Sequence, residues 1–140
     1  MRLPEWERGT PAVLCASGPH AIPVSTAVRA GNDRLVFALA ASRETLTRLR
    51  GDPRAAFCLL GEHVAFTAYG QAGVVREELE AAPSVAAVEL RVERVQDHLA
   101  DGRTVMLDGA RWEWADERAR EAEPAILAEL ERLARDAPPG

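Results

Sequence analysis

The chain has 140 residues, of which 47% are apolar and 28% are charged, and its formal net charge is −5. That length suits a single domain, residues 1–140, with a core large enough to fold unaided. The acidic balance argues against a general nucleic-acid binder, because neutralising phosphates requires an excess of basic surface. No apolar run approaches about 18 residues, and residues 1–11 form a polar arm, so we expect a cytoplasmic protein with no membrane partner.

The cysteines and histidines predict no metal site. Cys15 and Cys58 lie in apolar, strand-like runs, and their spacing fits neither a metal site nor a disulfide framework, so we interpret both as buried thiols. His20, His63 and His98 are too far apart to pair as ligands on one element. We interpret His20 and His63 as ordinary surface residues.

Three strands are predicted in the first part of the chain, over residues 12–16, 20–28 and 34–39. Pro23 has no backbone N–H, so the second of these strands should lie at a sheet edge or carry a bulge. Gly31 and Asn32 tolerate positive φ and predict a hairpin turn between the second and third strands.

A short helix is predicted next. Ser42 is a good N-cap, and Leu46 and Leu49 are spaced for one apolar face. Gly51 is a suitable residue to end the helix, and Pro53 prevents its continuation.

The second part of the chain predicts strands over residues 55–60, 64–75 and 85–95, a short strand over 104–107, and a helix over 116–136. Gly70 and Gly73 indicate curvature or bulges in the strand that contains them. Trp112 and Trp114 alternate in a strand-like run, so they should share a face that is either core or subunit interface. About six strands with few helices favour a mainly β fold, a small closed or split β-barrel with flanking helices.

The start of the first helix is the one candidate binding site in this pattern. The first turn of a helix leaves backbone N–H groups unpaired and carries a positive partial charge, which suits an anion. Ser42, Arg43 and Thr45 would add hydroxyl and guanidinium donors. The residues alone leave two readings open, a solubilising connector and an anion site.

Several stretches in this order resemble the pyridoxamine 5′-phosphate oxidase-like family of flavin-binding split barrels. They are PHAIPV before the hairpin, RLVFAL, the helix beginning near Ser42, LRGDPRAAF, AYGQAGVV, and VAAVELRVERV followed by GARWEW. The resemblance covers about residues 10–115. It implies a six-stranded antiparallel split β-barrel that forms a homodimer, with FMN or the deazaflavin F420 in a cleft between subunits.

The resemblance also implies which residues hold the cofactor. The ring would rest against Val24, Ser25 and Thr26, and the phosphate against Ser42, Arg43 and Thr45. Glu44 and Thr45 stand where family members often carry a basic pair. The Arg-x-His type motif that recognises pyridoxamine phosphate near the C-terminus of true oxidases has no match, since the sequence there is RWEW.

The function that the resemblance implies is an FMN- or F420-dependent oxidoreductase acting on an unidentified small molecule, and not vitamin B6 oxidation. No catalytic acid or base is identified. The alternative is a non-enzymatic split barrel that binds haem or another ligand and binds flavin weakly or not at all.

Overall fold

Seven strands and two helices make up the computed structural model, which describes residues 2–136. Met1 and residues 137–140, which belong to the predicted arm and domain, lie outside the described range. The elements are β1 (Ala12–Ala16), β2 (His20–Val24), β3 (Val28–Arg29), β4 (Arg34–Ala40), α1 (Glu44–Gly51), β5 (Arg54–Gly61), β6 (Val64–Arg76), β7 (Val85–Asp97) and α2 (Glu117–Asp136).

The strands form one antiparallel sheet in the order β2-β1-β5-β6-β7-β4-β3. The predicted count of six is wrong by one, because residues 20–28 form two strands. β2 pairs with β1 and ends at Val24, opposite Ala12, where β1 begins and no further partner remains. β3 then pairs with β4 instead.

The sheet is curled, because β2 and β3 lie at its opposite edges although only residues 25–27 separate them in the chain. We call residues 25–27 the crossing segment. Since an extended residue spans at most about 3.6 Å, the two edges must approach within about 14 Å where the chain crosses. Pro23 lies on edge strand β2, which confirms the position predicted from its missing N–H.

Aromatic side chains fill the inside of the curl. Phe37, Phe57 and Phe66 are fully buried, and the rings of Phe37 and Phe57 stack with their centroids 6.3 Å apart. Trp6 of the N-terminal arm packs on this core, with its ring centroid 5.6 Å from that of Phe66. Its indole N–H donates to the carbonyl of Ala27 at 3.1 Å, which ties the arm to the crossing segment.

Gly70 lies opposite a bulge in β7, where Glu93 is the extra residue. A Cβ at this position would collide with the carbonyl oxygen of Arg91 on β7, so only glycine allows the two strands to approach. The pairing of β6 with β7 shifts register at the same point. The irregular pairing predicted for this strand is therefore found, but the extra residues are Glu93 of β7, opposite Gly70, and Val75 of β6. Gly73 has open space where its Cβ would lie.

Helix α2 packs on the opposite side of β4. Leu127 and Leu130 are buried together with Val36 of β4 and with Leu79 from the β6–β7 connection. The C-terminal helix predicted over residues 116–136 is thus confirmed to within one residue. Within residues 2–136, no helix is both long enough and apolar enough to cross a membrane.

Glu129 is a fully buried carboxylate beneath α2, with 1% of its surface exposed. It accepts hydrogen bonds from the backbone N–H groups of Glu80 and Ala81, at 2.9 and 2.8 Å, and from Arg76 Nη1 at 3.1 Å. Burial by itself raises the pKa of Glu129, but these three donors together hold it below its ordinary value. Glu129 therefore fastens α2 to the β6–β7 connection.

The strand predicted over residues 104–107 is wrong. The segment is irregular, and Val105 and Leu107 expose 65% and 80% of their surfaces. Its link to the sheet is a hydrogen bond from His63 N–H to the carbonyl of Met106 at 2.9 Å. The segment has strand-forming residues but pairs with no strand among the described elements, so β-propensity alone does not order it.

Candidate functional site

Helix α1 begins one residue later than its predicted cap implies. Arg43 is the N-cap, with φ −68° and ψ 137°, and no side chain caps the helix. The predicted cap at Ser42 is therefore wrong. The backbone N–H of Arg43 donates to the carbonyl of Ala40 at 3.0 Å, so a tight turn at the end of β4 uses Ser42 before the helix starts. Ser42 and Arg43 are both exposed.

Thr45 is buried, with 1% of its surface exposed, and therefore does not present its hydroxyl to solvent as a phosphate contact would. Its Oγ1 lies 2.8 Å from Nε2 of His20 on β2. The sequence carried a signal for this burial, since Thr45 precedes the apolar Leu49 by four residues and so shares its face. The partner is a finding of the structure, because His20 lies 25 residues away.

The negative charge of Glu44 is neutralised within α1. Its Oε1 accepts two hydrogen bonds from Arg48, at 3.0 and 3.3 Å. Arg48 also donates to the carbonyl of Ser17 at 2.9 Å and so ties α1 to the β1–β2 turn. Arg43 makes no ion pair within residues 2–136, which leaves its guanidinium as the net positive charge at the start of the helix.

The predicted ring-binding residues lie at the end of β2 and in the crossing segment. Val24 packs its side chain in the core, with 5% exposed, so only its backbone can face a ligand. Ser25 and Thr26 are half-buried. Oγ1 of Thr26 accepts a hydrogen bond from the N–H of Ala38 at 2.9 Å, and its own hydroxyl proton remains free to donate. Neither Ser25 N–H nor Thr26 N–H has a partner in the described part of the chain.

The crossing segment and the start of α1 are both arranged along β4. Thr26 is bonded to Ala38, and Ser42 follows Ala38 by four residues. Four extended residues would span about 13 Å, but the chain turns after Ala40, so the two places lie closer together than that. A ligand that touched both would present a hydrogen-bonding group to the crossing segment and an anionic group to the start of α1.

The far end of α1 carries a second, self-contained ion pair. Asp52 accepts hydrogen bonds from the Arg54 side chain at 2.8 and 3.0 Å and from the Arg54 backbone N–H at 3.1 Å. These bonds, with a smaller contribution from Ser17, lower the pKa of Asp52 to about 2. Among residues 2–136, no three His, Cys, Asp or Glu side chains are grouped to hold a metal ion.

A cleft of about 710 Å³ lies between the arm, the β5–β6 turn and the segment that leads into α2. Trp112 and Trp114 line it, with their rings edge to face and their centroids 5.2 Å apart. Their indole N–H groups donate to the carbonyl of Gly9 and to the carboxylate of Glu123, both at 2.8 Å. The predicted strand face for the two tryptophans is wrong, because this segment is not a strand. None of the predicted site residues lines the cleft.

The convex side of β1, β5 and β6 is apolar and partly exposed. We call it the outer face, and it includes Val13, Cys15, Cys58, Leu60 and Tyr69. Val13 and Leu60 expose 42% and 45% of their surfaces. Both cysteines are free, but they are half-buried, so the prediction that they are buried is wrong. They point outward because their strand neighbours occupy the core, and side chains alternate along a strand.

No family model matches the sequence, and no curated protein matches it. Solved structures do match. A candidate pyridoxamine 5′-phosphate oxidase from Listeria innocua superposes with a TM-score of 0.52 at 14% identity, over 64% of this chain and 88% of its own. General Stress Protein 26 from Bacillus anthracis superposes with a TM-score of 0.53 at 11% identity, over 76% of this chain and 91% of its own. The chain has the fold of the pyridoxamine 5′-phosphate oxidase-like split barrels.

A haem-binding protein from Mycobacterium smegmatis also superposes on the split barrel, with a TM-score of 0.50 at 20% identity, over 64% of this chain and 49% of that one. The three structures share their fold with this chain at 11% to 20% identity. The ligand of this split barrel is therefore argued below from its own residues.

Proposed function

We propose that the split barrel binds a flavin-type cofactor, FMN or F420, along β4 and uses it as an oxidoreductase on a small molecule. The observation that carries this proposal is the exposed guanidinium of Arg43 at the start of α1, with the neighbouring Glu44 already neutralised by Arg48. A phosphate at this position would meet one unopposed positive charge and the free N–H groups of the first helical turn.

The residues of the crossing segment and of the start of α1 have different roles in this proposal. Arg43 and Ser42 hold the phosphate. Ser25 N–H, Thr26 N–H and the Thr26 hydroxyl donate to the polar edge of the ring. Thr45 supports the loop through its bond to His20 and does not touch the cofactor.

The bound flavin would supply the hydride chemistry, while the protein binds and orients it. No side chain needs to act as general acid or base, so the site requires no catalytic triad. The proposal places the protein in the cytoplasm, where the free thiols of Cys15 and Cys58 would stay reduced.

We further propose that the protein works as a homodimer joined through the outer face. Val13 and Leu60 are large apolar side chains that a monomer would leave in water, and the half-buried cysteines extend the same surface. Leu107, which is 80% exposed, adds apolar area in the segment beside the β5–β6 turn. Apolar patches of this kind mark interfaces, and a two-fold axis would pair the patch with itself.

A haem-binding protein without enzymatic activity is the second candidate. The burial of Thr45 favours it, because it leaves Arg43 as the lone cation where the family often has a basic pair. The haem-binding neighbour with the same fold supports the idea that this architecture accommodates a porphyrin.

The absorption spectrum of the purified protein and three titrations distinguish the two candidates. FMN and F420 are followed by fluorescence, and haemin by Soret absorbance. We expect saturable binding of FMN or F420 in the micromolar range or tighter. If neither flavin binds at high micromolar concentration, the cofactor proposal is wrong, and a stoichiometric Soret shift would then establish the second candidate.

A further inference from the structure

His20 lies between the start of α1 and the β1–β2 turn, where it contacts both residues that replace the family's basic pair. Nε2 is 2.8 Å from Thr45 Oγ1, and Nδ1 is 4.0 Å from Glu44 Oε2. Only 17% of the imidazole is exposed, and Thr45 is fully buried. The ring is thus hydrogen-bonded to α1 through Nε2, and its Nδ1 faces Glu44.

These contacts change when the imidazole gains a proton. The neutral tautomer that suits them has its proton on Nδ1, facing Glu44, while Nε2 accepts the hydroxyl proton of Thr45. In the charged form both nitrogens donate, so Thr45 Oγ1 must accept from Nε2 and turn its own proton to another acceptor. Protonation also adds one positive charge beside the first turn of α1.

The other charged groups at the two ends of α1 include two ion pairs and, at the N-cap, the guanidinium of Arg43, which makes no ion pair within residues 2–136. From α1, Glu44 and Arg48 are 3.0 Å apart, and from the α1–β5 connection, Asp52 and Arg54 are 2.8 Å apart. Imidazole is the side chain whose ordinary titration falls between about pH 5 and pH 8. His20 is the imidazole that contacts the start of α1.

We infer that His20 is a positioning residue that makes anion binding at the start of α1 depend on pH. The inference rests on the proposed flavin site and adds its regulation. Protonated His20 adds positive charge beside the first turn, so the phosphate binds more tightly at low pH. One added charge within a helical turn corresponds to about a three- to tenfold gain in affinity.

The test uses FMN as the probe and compares the wild type with His20→Gln from about pH 5.5 to about pH 8. Glutamine can still donate to Thr45 but does not titrate. Because the phosphate of FMN titrates in the same range, the quantity compared is the ratio of the two proteins' affinities at each pH. His63→Asn is the matched control, since His63 is 72% exposed and asparagine tolerates its φ of 58°.

As the pH falls through this range, we expect the FMN affinity of the wild type to rise about three- to tenfold relative to that of His20→Gln. The affinity of His63→Asn should follow that of the wild type. A constant ratio of wild type to His20→Gln would overturn the inference while leaving the flavin proposal intact.

The second measurement needs no ligand. In the NMR spectrum of the free protein, the amide signals of Thr45 and Leu46 should move with the imidazole titration in the wild type and stay fixed in His20→Gln. If they do not move in the wild type, the inference is wrong whether or not FMN binds. If they move and FMN does not bind, the coupling stands and the proposed ligand is wrong.

Discussion

Replacing Glu129 should destabilise the fold strongly, because this carboxylate is buried with three donors directed at it. Glu129→Ala leaves the N–H groups of Glu80 and Ala81 without an acceptor and removes the partner of Arg76. Breaking one side of a buried, charged hydrogen-bond network costs about 3–5 kcal/mol. The lost ion pair with Arg76 contributes little to this cost, because the Arg76 side chain is 39% exposed and water screens the pair.

Glu129→Gln keeps the shape of the side chain and one acceptor oxygen, so we expect a smaller loss of about 1.5–3 kcal/mol at pH 7. Its pH dependence has a definite sign. Because the folded state lowers the pKa of Glu129, the stability it contributes is complete above the ordinary value of 4.5 and is lost as pH falls through the folded value. The difference in the free energy of unfolding between the wild type and Glu129→Gln should therefore become smaller below about pH 4.5.

Urea unfolding at pH 7 and at about pH 3.5 measures both effects, with Glu121→Gln on the exposed side of α2 as the matched control. The control should stay within about 0.5 kcal/mol of the wild type. A Glu129→Ala loss below about 1 kcal/mol, or a Glu129→Gln gap that does not change with pH, would refute the role assigned to this carboxylate.

Two further predictions concern the dimer and the sheet. Leu60→Glu should convert the homodimer to a monomer in light scattering. Ala128→Glu, at an exposed position of α2 away from the outer face, should leave it a dimer. A monomeric wild type would contradict the proposed assembly. Gly70→Ala should cost about 2–4 kcal/mol in thermal or urea unfolding, because its Cβ would strike the carbonyl of Arg91, whereas Gly73→Ala should be tolerated; equal effects at the two glycines would refute the close approach.

The sequence was sufficient for most of the strands, because alternation of apolar residues is a local property. It also located Pro23 on an edge strand. It missed the division of residues 20–28 into β2 and β3, since nothing in that β-branched run shows that β1 is only five residues long and leaves β2 without a partner after Val24. The strand predicted over residues 104–107 is wrong because strand propensity without a pairing partner does not make a strand.

The candidate site could be predicted only in part. The exposure of Arg43 follows from its place before a helix, and the burial of Thr45 follows from its spacing to Leu49. The bond between Thr45 and His20 depends on how α1 packs against the β1–β2 turn, which no local pattern encodes. The burial of Glu129 could not be predicted either, because a glutamate on an amphipathic helix ordinarily faces solvent. Its hydrogen-bond donors include Ala81, which is 48 residues away in the chain.

The affinity of FMN relative to riboflavin tests the central claim most directly, since the two ligands differ only in the phosphate. Isothermal titration of wild type, Arg43→Ala and the exposed α2 control Arg132→Ala gives the three ratios. We expect FMN to bind the wild type and the control about tenfold more tightly than riboflavin, as one charge-assisted hydrogen bond allows, and a ratio near one in Arg43→Ala. Equal affinities in the wild type, or a preference that survives Arg43→Ala, would contradict the account.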